Sequence, residues 1–196
     1  WIKPGKVAWS WWSEDSSQGS YDKHIEYIDF ASANGWEYVC LDVGWRAFED
    51  RLGELCKYAA SKNVGIFVWI NYRDMKDINT METLFTKWKS AGAVGLKTDY
   101  FESDEQSVLE VMENVAKVSA KLKLMVLYHG CVRPAGEYRT YPNILTMEAV
   151  QGEEWHKWFA YPTVENSLLY PFTRNILGSM DYTPVGMKVG GAGSTY

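Results

Sequence analysis

Apolar residues occur along this chain in two alternating modes. Short, nearly continuous apolar runs appear at "KVAWSWW" (6–12), "EYVCLDVGW" (37–45), "VGIFVWINY" (64–72), "VGLKTDYF" (94–101), "LKLMVLYHG" (122–130) and "NILTMEAV" (143–150). Runs of this kind predict strands covered on both faces, because a half-exposed strand would alternate apolar with polar residues. Between them the apolar positions recur at three- and four-residue steps, which predicts amphipathic helices. Phe48, Leu52, Leu55, Cys56 and Ala59 do so in 47–62, and Val108, Leu109, Met112, Val115 and Val118 in 104–121. Met81, Leu84, Phe85 and Trp88 form a third such stripe in 80–91, where Thr80 is placed to cap. Asp104 and Glu105 suit the positive end of a helix dipole, and Gly35, Asn63–Gly65 and Gly92 stand where helices should stop.

Strand-like and helix-like segments in regular alternation predict repeated βα units and a parallel sheet. A doubly wound open sheet usually carries a glycine-rich phosphate turn after its first strand, and "AWSWWSEDSSQG" contains none. The pattern therefore predicts an α/β fold of the (β/α)8 TIM-barrel type. Such a barrel normally needs roughly 250 residues, so this chain of 196 would hold an incomplete one of six or seven units. Residues 176–184, "ILGSMDYTP", offer a seventh strand and its exit loop. The barrel is assigned to 1–184 and a glycine-rich tail, without strand or helix signal, to 185–196.

Composition narrows the chemistry. Hydrophobic residues make up 46% of the chain and charged residues 23%, ordinary for a globular protein, but ten Trp and thirteen Tyr are an excess of amphipathic rings. Such rings serve as core or as stacking faces for sugars. The net charge of −5, without a basic run, removes the electrostatic footprint of a nucleic-acid partner. No apolar run approaches the roughly 18–20 residues of a membrane span. The chain opens on Trp1, without the charged-then-apolar pattern of a leader, so a targeting signal is expected to be cleaved or absent. Cys40, Cys56 and Cys131 lack metal-site spacing and read as small core residues.

The polar residues gather where the strands end. Asp42 follows the second strand, Asp99 the fourth and Glu148 the sixth, with Glu153 and Glu154 soon after it. His129 ends the fifth, and Asn71 and Arg73 follow the third. In a β/α barrel the carboxyl ends of the strands converge on the face that carries the active site. Acidic groups brought together there repel and lose hydration, an arrangement suited to holding a cation, stabilising positive charge or shuttling protons. Asp42 reads equally well as a helix cap. Asp99 is less needed as one, because the next helix starts near Asp104, and Lys97 two residues earlier shares its side of the strand and would keep it ionised. A lone His129 is more commonly a hydrogen-bonded rim residue. Two carboxylates from different strand ends, one ionised and one protonated, suffice to cleave a glycosidic bond.

Beyond these patterns, "PGKVAWSWW", "DVGW", "GLKTDYF", "YHG…RPAGEYRTYPNILTMEAVQGEEW" and "PFTRNILGSMDYTP" together resemble the catalytic barrel of glycoside hydrolase family 97, over about residues 3–184. The resemblance implies an exo-acting α-glycosidase that uses Ca²⁺ and an oligosaccharide substrate. It implies a barrel flanked by N- and C-terminal β-domains, which this chain would lack, and a periplasmic or extracellular bacterial location. Inverting members carry a catalytic base Glu after the fifth-strand His; retaining members, including α-galactosidases, have Gly there and an Asp nucleophile after the fourth strand. Here Gly130 follows His129 and Asp99 stands in "KTDY". By resemblance Asp99 is the nucleophile, Glu154 the general acid/base, and Glu148 with Glu154 the calcium ligands. Glu153 leaves the acid/base assignment ambiguous by one position. A further calcium ligand would come from the N-terminal domain. Lys97, Asp42 and His129 are expected to bind substrate.

Galactose and glucose differ only at the C4 hydroxyl, so an α-glucosidase using the same chemistry stays open. So does a catalytically inactive carbohydrate-binding fragment. A metal-dependent aldolase or sugar isomerase fits less well, since the chain has only three His.

Overall fold

The computed structural model describes residues 1–75 and 77–184; the tail assigned to 185–196 lies outside them. Six strands form one sheet in the order of the chain: β1 (Val7–Trp9), β2 (Tyr38–Leu41), β3 (Gly65–Asn71), β4 (Gly95–Asp99), β5 (Met125–Tyr128) and β6 (Ile144–Met147). Every pairing is parallel, with Trp9 opposite Cys40, Trp69 opposite Lys97 and Asn71 opposite Asp99. A doubly wound sheet would reverse its strand order midway. This sheet steps in one direction and curls into part of a TIM barrel, as the alternating pattern predicts.

The crossovers carry α2 (Tyr21–Ala33), α3 (Leu52–Ser61), α4 (Ile78–Ala91) and α5 (Gln106–Lys121). Shorter helices are α1 (Ser10–Ser13), α6 (Glu137–Thr140) and α7 (Val164–Leu169). Because side chains alternate across a strand, the sheet has two apolar faces. Val39, Leu41, Ile66, Val68, Ile70, Leu96, Val126 and Tyr128 pack outward against the helices. Tyr38, Cys40, Phe67, Met125 and Leu127 fill the inside of the curl. On β4 the same alternation turns Gly95, Lys97 and Asp99 inward. Gly95 has no Cβ because the ring of Phe67 occupies that space. Lys97 thus stands on an apolar floor, with Asp99 one step closer to the carboxyl end.

Several boundaries differ from the sequence pattern. The first apolar run is a strand only to Trp9; Ser10–Ser13 turns helical, so Trp11 points elsewhere than an extended chain would send it. Residues 45–51 form 3-10 turns ahead of α3 instead of its first turns. Asp77, not Thr80, caps α4: its Oδ1 accepts the Thr80 N–H at 2.9 Å. Helix α2 was not predicted as an element, only its stop at Gly35. Its buried stripe is His24, Ile28 and Ala31, too polar and too small to register as a periodic apolar face. Residues 176–184 form no strand: Arg174–Leu177 is a 3-10 turn, and the chain beyond it lies against β6 and the loop that follows, where the Ser179 carbonyl accepts from Met147 N–H and the Tyr182 carbonyl from Glu153 N–H. Cys40, Cys56 and Cys131 are free thiols. No described helix is long and apolar enough to cross a membrane.

Candidate active site

A cleft of about 1170 Å³ opens at the carboxyl ends of the strands, and Asp42, Lys97, Asp99, His129, Glu148 and Glu154 all line it. The residues expected to act are therefore in one place, whereas Asn71 and Arg73 do not line the cleft. Its centre is Lys97, which is buried with its ammonium 2.6 Å from Asp42 Oδ2 and 3.4 Å from Asp99 Oδ2. The same ammonium lies 4.2 Å from the centroid of the Trp9 ring. Burial alone would discharge this lysine, but Asp42 and Asp99 outweigh it and hold its pKa well above the ordinary value.

Asp42 is anchored from three directions: Trp9 Nε1–H and Lys97 Nζ donate to Oδ2, both at 2.6 Å, and the Val43 N–H donates to Oδ1. Asp99 resists its burial in the same manner. Lys97, His129, the Trp69 indole N–H at 3.0 Å and the Tyr100 N–H at 2.8 Å favour its carboxylate and hold its pKa below the usual range. The chain then turns sharply, with Tyr100 at φ 66° and Glu102 at φ 47°.

That turn is packed onto Gly130, which itself has φ 52°. A Cβ at 130 would come within 2.9 Å of the Tyr100 amide nitrogen and 3.3 Å of Asp99 Oδ1. Gly130 thus lets the exits of β4 and β5 close on each other, sealed by a hydrogen bond from Glu102 N–H to the Gly130 carbonyl. Its own N–H donates to Glu148 Oε2 at 2.7 Å.

Glu154 shows the opposite electrostatics to Asp99. Burial raises its pKa, and Lys97, His129 and the Trp11 indole offset only part of the rise. Trp11 Nε1–H donates to Glu154 Oε1 at 2.6 Å. Glu153 does not line the cleft, whereas Glu154 does. His129 is fully enclosed, and burial and Lys97 oppose its charge, yet Glu148 and Asp181 raise its pKa to about 9. His129 Nε2 pairs with Asp181 Oδ2 at 2.6 Å, and Nδ1 lies 3.7 Å from Glu148 Oε1.

Asp181 is a site residue that the sequence reading missed. It lies in the "MDYTP" stretch but follows no strand, so the rule that finds carboxylates after strand ends passes over it. Only the quoted motif pointed to its neighbourhood.

Donor atoms of His129, Glu148 and Glu154 lie within 4.8 Å of one another. The two carboxylates suit a hard cation such as Ca²⁺, which takes 6–8 oxygen ligands. They supply only part of such a shell. Aromatic side chains border the opening: Trp155, its ring stacked on Phe159 at 5.4 Å, together with Trp158 and the exposed Tyr100.

Comparison with known proteins gives this geometry a context. A family model described as Glycoside hydrolase 97 matches residues 1–150. A protein of Bacteroides thetaiotaomicron named retaining alpha-galactosidase is 40% identical over the whole of this chain, which spans 32% of that protein. A Streptomyces bingchenggensis protein named probable retaining alpha-galactosidase is 34% identical over 94% of this chain and 31% of its own length. The chain thus spans about a third of the curated relatives it matches. Among solved structures, a beta-arabinopyranosidase superposes with a TM-score of 0.80 at 31% identity, over 91% of this chain and 31% of that one. A glycoside hydrolase family 97 enzyme from Pseudoalteromonas sp. strain K8, in complex with panose, superposes with a TM-score of 0.79 at 22% identity, over 94% of this chain and 35% of that one.

Proposed function

The chain belongs to the glycoside hydrolase 97 family, and from that premise we propose that it carries the catalytic centre of a retaining exo-α-galactosidase. The observation that carries this reading is the pair of cleft carboxylates with opposed environments. Lys97 favours the carboxylate of Asp99, while burial raises the pKa of Glu154. Two carboxyls pushed apart in this way take the two roles of glycoside cleavage. Asp99 attacks the anomeric carbon of a terminal α-galactoside, and the electrons of the breaking C–O bond leave with the aglycone oxygen, which takes the proton of Glu154. Glu154, now a carboxylate, removes a proton from water. That water displaces Asp99 from the β-galactosyl-enzyme and restores the α configuration.

Gly130 supports the retaining branch. Asp99 Oδ1 and the Tyr100 backbone stand against the place where residue 130 would carry a side chain, so the nucleophile occupies the ground a base on residue 130 would need. Lys97 and Asp42 present charged atoms along the same wall and would bind sugar hydroxyls, with His129 on the β5 side. Glu148, together with an oxygen of Glu154, would hold Ca²⁺, which when bound polarises substrate oxygens and stabilises negative charge. The rings of Trp155 and Trp158, beside Glu154, would face the aglycone.

The test is made with the intact protein that carries this chain. Asp99→Ala should abolish hydrolysis of a nitrophenyl α-galactoside, and azide should restore turnover by giving the β-galactosyl azide. Undiminished activity in that variant refutes the assignment. Parallel assays with the α-glucoside and the β-L-arabinopyranoside, which lacks only the C6 hydroxymethyl of the α-galactoside, identify the sugar.

A further inference from the structure

We propose that Trp11 is the positioning residue of the acid/base, and that Lys157 holds Trp11 in place. The inference rests on Glu154 having that role. The indole N–H of Trp11 lies 2.6 Å from Glu154 Oε1, a short hydrogen bond for a nitrogen donor. An indole nitrogen can only donate. Glu154 Oε1 therefore accepts whether the carboxyl is ionised or neutral, which leaves Oε2 free to carry the proton of the neutral form. One ring thus selects which oxygen faces the aglycone and keeps it selected through both half-reactions.

Trp11 is itself braced. The ammonium of Lys157 donates to the Trp11 carbonyl at 2.6 Å and lies 4.3 Å from the centroid of the Trp11 ring. It also reaches Asp15 Oδ2 at 3.3 Å. Lys157 and Glu154 share one 3-10 turn, Glu153–Lys157, so a single turn supplies both the carboxyl and the clamp on its partner. Trp11 belongs to α1, immediately after β1. The contact therefore ties the exit of the first strand to the loop after the sixth.

The experiment uses the intact protein and two α-galactosides. One has a 2,4-dinitrophenyl leaving group, which departs without protonation, and the other is a disaccharide, whose leaving alcohol needs it. Trp11→Phe should lower kcat/KM for the disaccharide roughly ten- to hundredfold, the loss of one hydrogen bond to a charged group, and leave kcat/KM for the dinitrophenyl substrate nearly unchanged. With the dinitrophenyl substrate kcat should also fall, because water attack needs the same carboxylate, and azide should restore it. Lys157→Met should show the same split more weakly. An equal loss on both substrates, or no loss on either, overturns the inference. Glu154→Ala measured alongside separates the two levels: if it shows no leaving-group dependence, Glu154 is not the acid and the proposed mechanism fails first.

Discussion

Replacing Lys97 by methionine keeps the buried stem of the side chain and deletes only its charge. In the native cleft that charge sits 2.6 Å from Asp42 and 3.4 Å from Asp99. At an effective dielectric of about 20, Coulomb's law gives roughly 6 and 5 kcal/mol for these two contacts, before the desolvation of all three groups is subtracted. Lys97 and Asp42 are almost wholly enclosed and Asp99 nearly so, so solvent screening removes little. Removing one partner of a buried pair costs about 3–5 kcal/mol, because the other is left as an uncompensated charge, and Lys97→Met leaves two carboxylates facing each other. The native pKa of Asp99 is depressed, so its contribution to stability is present above the unfolded-state value and is lost as pH falls through the folded value. Without Lys97 the depression disappears. The acidic limb of the pH dependence of kcat/KM should then move to higher pH, and the pH at which acid unfolds the protein should rise. Since Lys97 also lowers the pKa of Glu154, the basic limb should move up with it. Urea unfolding and the pH–rate profile of the intact protein measure both effects. The double variant Lys97→Met with Asp42→Asn removes the carboxylate pair and should recover part of the stability, while the acidic limb stays displaced. An acidic limb in Lys97→Met that coincides with wild type would refute the reasoning, because Lys97 would then not be what keeps Asp99 ionised.

Three further outcomes follow from the same geometry. Gly130→Ala should destabilise by about 2–4 kcal/mol, from left-handed backbone strain and overpacking together, and should lower kcat at least roughly tenfold by displacing the Asp99 turn. Gly35→Ala, at φ 63° with open space around the Cβ, should cost only the strain and leave kcat intact. If Ca²⁺ binds at Glu148 and Glu154, chelation should lower the unfolding temperature of the intact protein, and Glu148→Gln should abolish that response as well as weaken Ca²⁺ binding measured by calorimetry.

The pattern along the chain was enough to determine the class of fold and the end of the sheet at which the polar side chains gather. Doubly covered parallel strands need continuous apolar runs, helices on a sheet need a 3.6-residue stripe, and both signals are local. Local alternation likewise put Lys97 and Asp99 on one side of β4, where the structure has them. Elements whose signals were weak were lost or misdrawn: α2 buries a histidine and an alanine where a larger apolar stripe would announce it, and the seventh strand expected at 176–184 is a turn and a non-strand segment. What no local signal could supply is the partnership of each polar group. Lys97 meets Asp42 across 55 positions of sequence, Asp181 meets His129 across 52, and Trp11 meets Glu154 across 143. Such pairs are created by the curl of the sheet, which brings the exit of the first strand against the loop after the sixth. An indole N–H or a carboxylate on a loop carries no periodicity that would announce its partner. The sequence by itself therefore determined that carboxylates would converge at the strand ends; the tertiary structure decided that the pKa of Asp99 is lowered and that of Glu154 raised, because such shifts depend on burial and on neighbours that only the folded chain brings within 3–4 Å.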